Sequence, residues 1–446
     1  MQYLATGLQH EGVDVLRSLV KEVGLGYPET PARAILSIVW WLTRLKVRGH
    51  GFQARGVAQV APDVLARLDM CWNVGKVLSN TDPLRGMPFQ LRAVMMALEA
   101  GEPIRVARAL GMLGAMFVWQ GTPSTMAQGG ALLDRAEELA RDVTDDEARR
   151  LLVTAQAARD LVRGDWNLAL ERLEPAFRES QTVAIDPWDV YMMRVFINNA
   201  LFGMGRLAEA HERAARWFRE ASEQGNTYGR TTAVACWGTT LLAIRGPEEA
   251  RARLREVQES WPKEGFRVPD VYALQLETNC ALYEGRPAEA WSRLKQVWPS
   301  MERSGLLRAQ IVRLEMYSLR ARTAVALAAV GGSEREKLLD SAMRDVRRVE
   351  QESRRDAGTM SRLLRAGIDS VRGNTGSALE HLTAAGEGFA AAGMELWAAH
   401  ARVFQGVLLG GDAGRELRAS AEAVIARQGI LEPRRWLRLQ VPGLEG

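Results

Sequence analysis

Lysine is scarce in this 446-residue chain: it supplies six of the 58 basic residues, and arginine the rest. Cysteine and histidine are scarcer still, at three and five. Cys71, Cys236 and Cys280 are far apart and odd in number, which excludes a disulfide framework, and no CxxC pair offers a zinc site. Each lies in an apolar helical stretch and reads as a buried thiol. None of His10, His50, His211, His381 and His400 has a histidine partner at i+3 or i+4 for a metal. Long hydrophobic runs are missing too. The nearest candidate, "AILSIVWWL", falls short of the roughly 20 residues that cross a bilayer, and Arg33, Arg44, Lys46 and Arg48 flank it. The opening "MQYLATGLQHEG" has neither the basic nor the apolar region of a signal peptide. These absences point to a cytoplasmic protein with no membrane span.

Strand signals are nearly absent, since no run alternates β-branched and polar residues between turns. Chemical motifs are absent as well. GxxxxGK[ST], GxGxxG after a strand, HExxH, GxSxG and the kinase catalytic loop do not occur. The expectation is a chain with no catalytic residues, no cofactor and no metal. The net charge of +4 arises from 58 basic and 54 acidic residues. The two signs alternate along segments such as "EARARLREVQE", which makes ion-paired helix faces rather than a basic stripe. That argues against a nucleic-acid partner.

What is present is helix, repeated. Residues 8–23 read as one helix. Pro31 starts another, with Thr30 as N-cap, and Pro62 starts a third running to about residue 79. "NTDPLRG" reads as a turn before a helix over 89–99. Further on, "VRGDWNLAL", "GMGRLAEAH", "AIRGPEEAR", "YEGRPAEAW" and "VRGNTGSAL" align on Gly164, Gly205, Gly246, Gly285 and Gly373. The intervals are 41, 41, 39 and 88, the last about two periods, with Gly332 between; Gly121 and Gly411 extend the series. After each glycine a small residue opens an apolar i, i+4, i+7 stripe: Ala169/Leu173/Ala176, Ala210/Ala214/Trp217, Ala250/Leu254/Val257, Ala290/Leu294/Val297, Ala342/Val346/Val349 and Ala378/Leu382/Ala385. Each unit is therefore a helix A, a tight turn whose glycine takes positive φ, and a helix B, with alanine where the helices approach. Pro175 should kink or shorten its B helix.

The fold expected is all-α: a tetratricopeptide-like α-solenoid of stacked antiparallel helix pairs with a period of about 40 residues. Residues 1–60 read as N-terminal helices forming a partial repeat. Residues 61–446 read as the repeat superhelix, with a capping helix near 431–440. The chain opens on half a repeat, which predicts a preceding segment in a longer protein.

A solenoid presents its A helices on the concave face, so polar residues recurring there are candidates for binding. Asn199 and Asn279 each lie six residues before their glycine, and Thr240 holds the same register. The alternative is a buried amide that fixes register between helices. Thirteen tryptophans are unusual. Trp119, Trp166, Trp217, Trp237, Trp291, Trp298 and Trp397 sit at positions that other repeats fill with core residues, so they read mainly as packing.

Several stretches resemble the C-terminal helical region of large bacterial serine/threonine protein kinases. They are "RLDMCWNVGKVLSNTDPLRGMPFQLRAVMMALEAGEPIRVARALGMLG", "YPETPARAI", "WPSMERSGLLRAQIVRLEMYSLRARTAVALA" and "GMELWAAHARVFQGVLLGGDAGRELRASAEAVIARQGI". In that family a kinase domain and an AAA/STAND-type ATPase module precede tetratricopeptide-like repeats. The resemblance spans almost the whole chain but brings no kinase or ATPase motif, so no catalytic residue carries over. It implies a regulatory array that binds a protein or peptide partner on its concave face, with an associated or linked kinase/ATPase as one such partner. The alternative is a small-molecule sensor with a ligand inside the superhelix. A deep cavity with convergent polar groups would favour the sensor.

Overall fold

The computed structural model describes residues 17–18, 20, 24–141, 145–183, 185–259 and 266–444. The helix expected over 8–23 falls almost wholly outside them. Twenty α-helices and no strand occur among the described residues. They are α1 (Pro31–Arg48), α2 (Pro62–Thr81), α3 (Pro83–Ala100), α4 (Pro103–Val118), α5 (Pro123–Ala140), α6 (Asp146–Arg163), α7 (Trp166–Glu179), α8 (Pro187–Met204), α9 (Leu207–Glu223) and α10 (Thr227–Arg245). There follow α11 (Pro247–Gln258), α12 (Val268–Tyr283), α13 (Pro287–Ser304), α14 (Gln310–Ala329), α15 (Arg335–Glu350), α16 (Ala357–Arg372), α17 (Thr375–Ala391), α18 (Glu395–Leu409), α19 (Gly411–Ala426) and α20 (Pro433–Gln440). No helix among the described residues is long and apolar enough to cross a membrane.

Local chemistry explains the starts. Thr30 caps α1, its hydroxyl accepting from the Arg33 amide at 3.3 Å, with proline at N1. The "NTDPLRG" stretch is more helical than its turn residues suggest. The Asp82 carboxylate accepts from the Arg85 amide at 3.1 Å and Pro83 begins α3, so one residue separates it from α2. Pro88 sits six residues into α3, so the helix forgoes one backbone bond there. α7 contains Pro175 and is 14 residues long.

The chain divides into two compact units. The first comprises Met1–Val118, Pro123–Arg159 and Pro175–Val190; the second comprises Trp119–Thr122, Asp160–Glu174 and Tyr191–Gly446. The first is built around Leu68, Leu91, Leu98, Leu110 and Leu113, contributed by α2, α3 and α4. In the second, consecutive helices pack against each other across their turns. The alternate helices α10, α12, α14 and α16 also meet in series, an arrangement consistent with stacked helix pairs.

The turn glycines Gly164, Gly205, Gly246, Gly285 and Gly373 have φ between +73° and +88°. At Gly205 and Gly285 the bond pattern is a Schellman motif. The Gly285 amide donates to the Leu282 carbonyl at 3.0 Å and the Arg286 amide to the Ala281 carbonyl at 2.8 Å. Gly246 differs: its amide keeps the helical bond to Leu242, at 3.1 Å, so α10 takes one more residue before its glycine. All six stripe-leading alanines are fully buried, as expected where two helices come close.

Within the second unit the chain returns upon itself after about 190 residues. The Gln310 amide donates to the Trp119 carbonyl at 2.8 Å, the Arg355 amide to that of Arg163 at 3.0 Å, and the Leu431 amide to that of Ala243 at 2.9 Å. The Trp397 indole donates to the Gly203 carbonyl at 2.8 Å, 194 residues away. Early helix ends whose last carbonyls lack intrahelical partners are thus satisfied by the starts of later helices. The same juxtaposition sets negative dipole ends against positive ones.

Candidate functional site: a cavity with buried polar groups

A cavity of ≈ 170 Å³ opens among the helices of the second unit. An engineered cavity of about 150 Å³ is large enough to take up benzene. The lining comes mostly from one face of successive A helices. α12 presents Tyr272, Gln275 and Asn279; α14 presents Glu315, Ser318 and Arg322. Spacings of three and four residues are those of a single helical face. Trp166, Phe202 and Trp397 supply aromatic wall, the last two meeting edge-on with centroids 5.4 Å apart.

Three buried polar side chains on this wall keep an atom without a hydrogen-bond partner. They are Asn198 Oδ1 (2% exposed), Asn279 Oδ1 (1%) and Ser318 Oγ (6%). Asn198 is oriented by its own amide nitrogen, which donates to the Cys236 carbonyl at 2.9 Å and leaves the oxygen over. The Trp166 indole N–H is also unpartnered. Buried polar atoms are nearly always satisfied, so these atoms are open to hydrogen bonds from water or from a polar guest.

Four charges border the cavity. Arg354 and Asp356, in the turn before α16, satisfy each other bidentately at 2.6 and 3.0 Å, and Arg354 lies 5.0 Å from the Trp166 ring centroid. Glu315 accepts one bond from Gln275 at 3.2 Å. Arg322 donates through Nη1 to the Leu439 carbonyl at 2.9 Å and to Gln440 Oε1 at 3.4 Å. Burial raises the Glu315 carboxyl above the ordinary carboxylate range, against the opposing pull of Arg354 and Arg322. Burial likewise pushes the Arg322 guanidinium down to about 10.

Of the candidates read from the sequence, Asn199 and Asn279 line the cavity and Thr240 does not. The Thr240 hydroxyl is fully buried and donates to the Trp237 carbonyl at 2.9 Å. Its neighbour Thr239 lines the wall instead. The register counted from the glycine slips here because α10 carries the extra residue before Gly246. Counted at 40 residues, the row is Asn199, Thr239, Asn279. Trp166 and Trp397 belong to the lining, whereas Trp217, Trp237 and Trp298 are buried.

The lining contains no histidine, and its one thiol, Cys236, is pushed up to about 12 by burial. His211 is buried; its Nδ1 accepts from the Trp237 indole at 2.9 Å, because it follows Ala210 onto the packed face. His400 is fully buried, and its Nε2 accepts from the Trp436 indole of α20 at 3.2 Å.

A second buried charge cluster lies in the first unit. Lys76 Nζ contacts Asp186 at 2.8 Å and Asp189 at 3.2 Å, and lies 5.1 Å from the Trp188 ring centroid. Burial pulls the ammonium down, but the two carboxylates outweigh it and hold it above the ordinary lysine value.

Compared with known proteins, the chain matches no family model, and no curated protein matches it.

Proposed function

We propose that this chain is a non-enzymatic sensor: a tetratricopeptide-like α-solenoid that binds a small molecule inside its superhelix and passes the bound state to a regulated partner. The observation that carries this is the group of unpartnered Asn198, Asn279 and Ser318 atoms on the wall of one cavity. A ligand that satisfied them would tie the early and late helices together and stabilise one curvature of the stack. The resemblance to kinase-linked repeat arrays supplies the context of a regulatory module, with a linked or associated kinase/ATPase as its output.

A thermal-shift screen of small polar compounds tests the reading, with Asn279→Leu as the cavity-filling control. Hits that raise the melting temperature of the parent chain but not of the variant support it. A screen whose hits are all indifferent to Asn279→Leu, or that yields none, rejects it.

A separate observation favours a partner-binding scaffold. On α1, Leu36, Val39, Trp40 and Val47 are exposed, Trp40 at 60%. A contiguous apolar face of this kind is typical of interaction surfaces. In this reading the kinase/ATPase partner docks there, and Trp40→Glu abolishes its co-purification without changing the cavity.

A further inference from the structure

We infer that the cavity takes a small zwitterion whose opposite charges are separated by a polar spacer, the cation against Glu315 and the anion against Arg322. This deepens the sensor reading and rests on it.

Of the four charges at the cavity, two are spoken for. Arg354 presents its Nε and Nη2 edge to both carboxylate oxygens of Asp356. Glu315 and Arg322 are different. Neither forms an ion pair among the described residues. One Glu315 oxygen accepts from Gln275, and the other has no protein donor. Arg322 commits Nη1 to the Leu439 carbonyl and Gln440, while Nε and Nη2 make no protein hydrogen bond. Single buried charges are costly, and the cost is relieved by an opposite charge that brings hydrogen bonds with it.

The two groups face the same way. Glu315 and Arg322 are seven residues apart on α14, two turns, which places their Cα atoms on the order of 10 Å apart on one face. They make no ion pair with each other, although each feels the other's charge, and both border the cavity. Between them on the same face lies Ser318, whose hydroxyl is unpartnered. Across from it Asn279 on α12 offers an unpartnered carbonyl oxygen. The order along the wall is therefore acceptor of a cation, polar middle, donor to an anion. A molecule that matches carries ammonium, a hydrogen-bonding spacer and carboxylate. A dipeptide or a hydroxylated ω-amino acid has that order; an α-amino acid, with both charges on one carbon, cannot reach both ends.

Calorimetric titration of the whole chain tests the inference. The probes are glycylglycine and δ-aminovalerate as zwitterions, N-acetylglycylglycine as the anion alone, glycylglycinamide as the cation alone, and glycine as the short zwitterion. Glycylglycine should bind on the order of 10-fold tighter than either singly charged analogue. Glu315→Gln should erase its advantage over the anion and leave the anion unchanged. Arg322→Gln should erase its advantage over the cation. Circular dichroism verifies that both variants fold, and the ligand series on the parent chain stands without them. Equal binding of the anion and the zwitterion overturns the inference while leaving the cavity a binding site. Absence of binding by every probe at millimolar concentration overturns it too. The thermal-shift screen then separates the two readings, since Asn279-dependent hits of another chemistry preserve the sensor and reject only the zwitterion.

Discussion

Lys76 in the first unit is buried and Glu315 in the second is half-buried at a cavity, and the structure treats the two charges in opposite ways. Lys76 has two carboxylates within 3.2 Å and an aromatic face beside it. Glu315 has one amide and forms no ion pair among the described residues. The first arrangement is closed: nothing need be added to satisfy it. The second is open, and it stays open beside a cavity. A buried charge that is fully paired argues for structure, whereas one left unfinished in a cavity argues for a ligand.

The largest effect comes from opening the closed cluster. Lys76→Met leaves Asp186 and Asp189 facing each other without their cation, Asp189 being buried. It should cost about 3–5 kcal/mol in denaturant unfolding. A cost below about 1 kcal/mol would show that the cluster is solvated and would dissolve the contrast.

A cavity wall can also be broken without touching a charge. At Gly205, φ is +79° and an added Cβ would lie 2.4 Å from Leu396 Cβ, next to the lining residue Trp397. Gly205→Ala should cost about 2–4 kcal/mol, backbone strain plus overpacking. Gly285→Ala has the same strain but open space, and should cost about 1 kcal/mol. Equal losses would mean that the contact of Gly205 with Leu396 contributes nothing.

Removing the open charge should stabilise. Below the ordinary value of 4.5 Glu315 is protonated in both states and has no effect. As pH rises from 4.5 to its raised folded value, the unfolded chain ionises first, and stability is lost. Glu315→Gln should therefore raise stability by on the order of 1 kcal/mol at pH 7 and by nothing at pH 4. A destabilised variant at neutral pH would show that Glu315 is satisfied after all.

The smallest effect is a slope. His400 is depressed from 6.5 to about 3 by burial. On acidification the unfolded chain takes up its proton from about pH 6.5 downward while the folded chain stays neutral, so stability falls across that window. His400→Asn should remove about one proton from the uptake on unfolding, read as a shallower dependence of melting temperature on pH.

Much of this was legible in the residues. The glycine spacing and the alanine-led stripes locate the pairs because backbone conformation and close approach each restrict residue type. Asn199 and Asn279 were legible for a related reason: amides stand out on otherwise apolar helix faces. Thr240 was misplaced because glycine can occupy either of two adjacent cap positions, and one residue rotates a helical side chain by about 100°. Glu315, Ser318 and Arg322 do not stand out in the same way, although "LEMYSLRAR" carries them at i, i+3 and i+7. In a chain where charges alternate on every solvated face, an inward charge has no local mark. Nothing short-range announces that Trp397 and Gln440 join Trp166 at one cavity, because that depends on the path of the whole stack.

That return after about 190 residues has a consequence for biosynthesis. Trp166 and Asn198 leave the ribosome long before Trp397 and Gln440. At about 5–20 residues per second the gap between a helix end and its later partner is roughly 10–40 s. For that interval the early helices present open carbonyls and an unroofed apolar groove to the cell. The cavity is among the last features the chain acquires, and a nascent chain stalled before residue 397 would be a substrate for chaperones.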